Sequence, residues 1–228
     1  MAIPLSAMAR RARRSRRLSV TLRPINAPST MASDLYVSAY DPVIKAWGDG
    51  AERIIVAYEN ALAQITQDSP EQVSASINTV ENDLNALILS VRLRLEAWAA
   101  KIERWHRAKW RGAVLAATSV DLGTMLGSGP MRMTLGTAIE RNVGLIKSVS
   151  DQARGRIGDA VFRGLVQRKP AREVAAEIRG AVAMSRRRAL NIASDQTTKL
   201  TAALNTERMT EAGLDHYEWM SSHKVHFR

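Results

Sequence analysis

Four histidines and one short constellation are the residues whose types could do chemistry. His223-Lys224-Val225-His226, with Asp215 upstream, offers the side chains of a metal site. Such a site needs three or four ligands on a fixed scaffold, backed by an outer layer of hydrogen bonds. Side chains alternate along an extended segment, so His223 and His226 fall on opposite faces. An exposed strand that meets a partner is the simpler reading. His106 stands between Trp105 and Trp110 near the end of a long helix and reads as a packed residue. Gly123 to Gly129 lacks the lysine and the preceding strand of a phosphate-binding loop. No serine lies in a nucleophile-elbow context, and the chain has no cysteine. No catalytic residue, metal or cofactor is therefore expected, and the chain reads as a non-enzyme.

Cations are the stronger signal. The chain of 228 residues carries a net charge of +11, unevenly spread. Residues 1–32 hold seven arginines and no acid, and residues 141–188 hold 12 basic against 4 acidic residues. Residues 33–140 are mildly acidic, with 10 basic and 13 acidic residues. Arg10, Arg11, Arg13, Arg14, Arg16 and Arg17 fall within eight residues, enough to neutralise several phosphates of double-stranded DNA without reading its sequence. Arg186, Arg187 and Arg188 are expected at a helix start, where positive charge opposes the helix dipole and an anionic partner would remove the penalty. The tail, residues 1–32, is expected to be disordered, because its charges repel and Pro24 and Pro28 interrupt a helix. An organellar presequence is the alternative for so arginine-rich a start. No apolar run approaches the roughly 20 residues of a membrane span.

The elements that position these residues are helices. Tyr40, Ile44, Trp47, Ala51, Ile54, Tyr58, Leu62 and Ile65 recur at steps of three and four from about Ser33 to Gln67; Asp41-Pro42 is an alternative start. Ser69-Pro70-Glu71-Gln72 is a capped restart. Val73, Ile77, Val80, Leu84, Leu87, Val91, Leu95, Trp98, Ile102 and Trp105 follow, with a stutter at Val91–Leu95. A short connection between two such stripes predicts a long antiparallel hairpin over residues 33–122. Trp98 and Trp105 lie on its stripe, against the first helix or another subunit. Trp110 lies off it and suggests a contact surface. The Gly/Pro segment 123–130 is the expected domain boundary. A third helix runs on to Lys169-Pro170, a fourth carries Val174, Ile178 and Val182, and Ser185 is expected to cap a fifth. Gly213 stops that helix. A short strand, His216 to Met220, then carries Trp219 as a further contact residue, before Val225 to Arg228. The fold class expected is mainly α: the hairpin, then a helical α+β C-terminal module with a small β element.

That last layout resembles the C-terminal module of the phage Mu F-like minor head proteins, the phage head morphogenesis family. Ile192-Ala193-Ser194-Asp195-Gln196-Thr197 stands where the family has Ile-Ala-Arg-Thr-Glu-Thr, so Ser194 replaces its Arg and Asp195-Gln196 its Thr-Glu. Asn205, Gly213, Trp219 and Arg228 match later positions. The resemblance covers residues 140–228 and makes 131–228 the head morphogenesis module, expected to be incomplete at its C-terminus because the family's final His and Gly-rich strand lie beyond Arg228. It implies a minor head protein in the virion, in the head interior or at the portal vertex, assembled in the host cytoplasm. Several copies per vertex would contact the portal protein, packaged double-stranded DNA and, in addition, the major capsid protein. The alternatives are a basic helical nucleic-acid-binding protein unrelated to capsids, and a metal-dependent enzyme or toxin fragment.

Overall fold

A computed structural model describes residues 5–12, 22, 25–64, 69–123 and 131–214. The expected strand and its Trp219, the second extended piece, Arg13, Arg14, Arg16 and Arg17 lie outside the described residues. So does nearly all of the Gly/Pro segment. Among the described residues the protein is mainly α, and no strand occurs.

The described residues form six α-helices in order: α1 Leu5–Ala12, α2 Ser29–Leu35, α3 Asp41–Gln64, α4 Ser69–Thr118, α5 Met131–Gln167 and α6 Ala171–Glu211. A π-helical turn, Tyr36–Tyr40, joins α2 to α3 without a break. Pro42 accounts for the irregularity. It has no N–H to give to the carbonyl four residues back, and its ring crowds that turn. That carbonyl belongs to Ser38, and Arg94 Nη1 of α4 donates to it at 3.3 Å. A wide turn and a borrowed guanidinium thus let one helix continue through a proline. Asp41-Pro42 is consequently inside a helix and not its start.

The long helices form an up-down-up-down bundle, in which α3 packs on α4, α4 on α5, α5 on α6 and α6 back on α3. Ion pairs fix the antiparallel sense. Asp34–Lys101 ties α2 to α4, and Arg53–Asp83 ties α3 to α4. Arg92–Glu140 and Arg154–Glu81 tie α4 to α5, and Glu52–Arg179 ties α3 to α6. Two glycines permit the closest approaches. A Cβ on Gly50 would come within 2.5 Å of Val80 Cγ2, and one on Gly164 within 2.6 Å of Val174 Cγ2.

The hairpin of α3 and α4 is as expected, but it does not stand alone. One continuous core runs from Met31 to Leu204 and draws on all four long helices. The segment 123–130 therefore connects two helices of one bundle, not two separate cores. Four apolar stripes of similar length bury more against one another than two pairs would. The expected fourth and fifth helices are one, α6. Ser185 is buried inside it and donates to the Ala181 carbonyl at 3.0 Å, so it caps nothing. The α4 stripe runs Leu84, Ile88, Val91, with Leu87 only half-buried, so the stutter falls at 84–88, ahead of the expected place. Residues 1–32 are not uniformly without structure either. Leu5 of α1 is buried, and Met31 enters the main core.

Past Glu103 the buried positions of α4 advance in steps of four, from His106 through Trp110 and Val114 to Thr118. Each such step overshoots a 3.6-residue turn, so the buried face rotates away from the main core. It meets Leu5, Val120, Leu122 and Ala212, which make a second small cluster at this end.

Candidate functional site

Buried chemistry gathers where α4 and α6 cross at this end of the bundle. Leu200 and Leu204 set the core face of α6, and the next position on that face is Arg208. Its side chain is 0% exposed. Nη2 donates to Glu103 Oε1 at 2.6 Å and Nη1 to Glu211 Oε2 at 2.6 Å. Glu103 also accepts from Arg107 at 3.1 Å. Charges removed from water in this way persist only when paired and hydrogen-bonded.

His106, 1% exposed, lies one turn away. Its Nε2 is 2.8 Å from Asn205 Oδ1. Asn205 turns its Nδ2 toward the Ile25 carbonyl at 3.5 Å, so its oxygen accepts and the imidazole carries its proton on Nε2. Burial pushes the His106 pKa down; the Asn205 hydrogen bond opposes this more weakly. The ring is neutral, and Nδ1 has no hydrogen-bond partner among the described residues. Sequence reasoning read His106 as packed and missed Glu103 and Arg208. The available signal was an arginine on the 200–204–208 apolar face.

The contact residues expected from the sequence are redistributed. Trp98 is buried and its Nε1 donates to the Met31 carbonyl at 3.0 Å. Trp110 is buried in the second cluster. Trp98 thus packs within the chain, one of the two places expected for it, whereas Trp110, expected at a contact surface, is interior. Trp105 is half-buried against the main core and edge-on to His106, with ring centroids 6.4 Å apart. The outward face of α4 carries Leu89 and Leu93 instead, 79% and 70% exposed.

The basic residues also separate. Arg186–Arg188 sit in the middle of α6, so no helix dipole opposes them, contrary to expectation. Arg188 turns inward, to the Ser148 carbonyl and to Gln152, each at 3.1 Å. Arg186 lies beside Tyr36 and Asp41. Arg187 alone of the three is exposed without a partner among the described residues. Arg10 and Arg11 are exposed in the last turn of α1. No group of three His, Asp or Glu that could hold a metal occurs among the described residues. No helix among them is long and apolar enough to cross a membrane.

No protein-family model matches the chain, and no solved structure matches it. A protein of Haemophilus influenzae, itself described only as uncharacterized, is 32% identical over 106 residues. The match covers 46% of this chain and 24% of that relative, so the chain spans well under two thirds of the relative's length.

Proposed function

We propose that the chain is a minor head protein of a tailed phage, acting in head morphogenesis at the portal vertex and contacting the portal protein and packaged DNA. The observation that carries the reading is the likeness of residues 140–228 to the phage Mu F-like proteins. The course of α6 supports it: the helix runs through Ile192–Thr197 and Asn205 and ends two residues before Gly213, in the family's order. Outward-facing Leu89 and Leu93 would supply apolar area for a neighbour in an assembly. The excess of cations suits a DNA-filled compartment.

The test is the composition of purified particles. A fixed low copy number, retained with the portal when heads are disrupted, is the expected result. Absence from particles, with the chain instead on cellular DNA, would replace this reading by a nucleic-acid-binding protein unrelated to capsids.

A further inference from the structure

We propose that the cleft between α4 and the first turn of α5 binds the phosphodiester backbone of duplex DNA. This rests on the DNA-contact half of the proposed function. The cleft measures about 250 Å³ and is lined by Glu103, Arg104 and Arg107 of α4 and by Met131, Arg132 and Leu135 of α5. Three guanidiniums thus converge on one opening, with a single carboxylate among them.

That carboxylate does not cancel them. Glu103 is already held by buried Arg208 at 2.6 Å and by Arg107 at 3.1 Å. Arg111, one turn beyond Arg107, is taken by Asp121 through two bonds of 2.7 and 2.8 Å. Among the described residues neither Arg104 nor Arg132 has a carboxylate partner, and both are exposed. The cleft therefore keeps at least two uncompensated positive charges on rigid helices.

The geometry favours phosphate. Planar guanidiniums offer paired donors that match phosphate oxygens. Arg104 and Arg107 stand three residues apart along α4, a step of about 4.5 Å at 1.5 Å per residue. Successive phosphates of one strand rise about 3.4 Å, so these two arginines can meet neighbouring phosphates. α5 begins in the same cleft, its first turn holds no acid, and its amide end adds to the positive field. Met131 and Leu135 supply an apolar wall for the sugars. The arginines of residues 10–17 and 186–188 belong to other regions of the sequence, so this site is additional to them.

The test uses the full chain and a labelled duplex of about 20 base pairs, with affinity followed between roughly 50 and 200 mM salt. Arg104→Gln/Arg132→Gln is compared with Lys147→Gln/Arg172→Gln, which removes the same charge from exposed positions elsewhere. The first pair should weaken binding at least about tenfold and flatten the salt slope by about 2, the loss of two phosphate contacts. The second pair should change affinity less than about threefold, and the melting curves of both should match the wild type. Equal losses from both pairs would reduce the cleft to bulk charge and overturn the proposal. So would unaltered binding by Arg104→Gln/Arg132→Gln, with the DNA-contact reading left standing. A wild-type chain that ignores the duplex but binds polyglutamate would overturn both, and would make an acidic protein surface the partner.

Discussion

Arg168 and Gly213 close α5 and α6 with the same left-handed turn. Their φ values are 52° and 66°. Behind Arg168, Lys169 N–H reaches back to the Gly164 carbonyl at 2.9 Å; behind Gly213, Leu214 N–H reaches the Met209 carbonyl at 2.9 Å. Glycine suits that position and arginine does not, because its Cβ crowds the backbone at a cost of about 1 kcal/mol. Arg168→Gly should raise stability by about 0.5–1 kcal/mol, and Gly213→Ala should lower it by about 1 kcal/mol. Urea unfolding midpoints at constant slope measure both. A loss on Arg168→Gly would mean that its side chain contributes more than the turn costs.

His106 should make stability fall in mild acid. Burial lowers its pKa in the fold, whereas an unfolded chain titrates it near about 6.5. Above that pH the ring is neutral in both states. Below it the unfolded state takes up the proton first, and stability falls by at most about 1.4 kcal/mol per pH unit until the folded ring also titrates. Near the ring, Glu103 favours the proton and Arg208 opposes it. Urea midpoints at about pH 7.5 and 5.5 should differ more for wild type than for His106→Gln, which can still hydrogen-bond to Asn205. Equal differences would assign the acid sensitivity to other groups.

The stripe on α4 shows how far periodicity reaches. Apolar recurrence found the helices and eight of the ten α4 positions named, all but Leu87 and Trp105 being buried. It placed Leu87 on the stripe where Ile88 is the buried residue, because both are apolar and adjacent, and only the neighbouring helices decide which faces inward. Leu84→Ala should cost about 2–5 kcal/mol, and Leu87→Ala less than half of that. The reverse order in thermal unfolding would restore the stutter to Val91–Leu95. Pairwise periodicity was also blind to how many helices share a core. It therefore suggested a separate hairpin where α3, α4, α5 and α6 close on one another.

The ionic pair Glu103–Arg208 was not legible because its partners lie 105 positions apart. Proximity in the fold, and not local pattern, makes an isolated charge on a core face into a satisfied one. Removing Arg208 takes the buried guanidinium from both Glu103 and Glu211 and leaves Glu103 only Arg107. Arg208→Ala should therefore cost about 3–5 kcal/mol, while Glu103→Leu/Arg208→Leu together should cost less than the single change. Calorimetric or chemical unfolding of the two variants checks the order. A double variant as unstable as the single one would show that packing, not unpaired charge, sets the loss.

The arginine tail calls for neutralisation and not truncation. Deleting residues 1–24 would also remove Leu5 from its contacts in the cluster with Trp110 and Val114. That would expose a tryptophan and mix a folding defect into any binding result. Replacing Arg10, Arg11, Arg13, Arg14, Arg16 and Arg17 by Gln keeps Leu5 in place. If the tail neutralises about five phosphates, log affinity for duplex DNA should fall with log salt at a slope near −4 or −5 from the tail alone. The six-fold variant should lose most of that slope and retain the wild-type unfolding curve. Adding Arg104→Gln/Arg132→Gln should then lower the remaining slope by about 2, if the cleft between α4 and α5 is the second contact. A salt slope unaltered by the six replacements would make the tail's partner an acidic protein surface, with the portal the first to test.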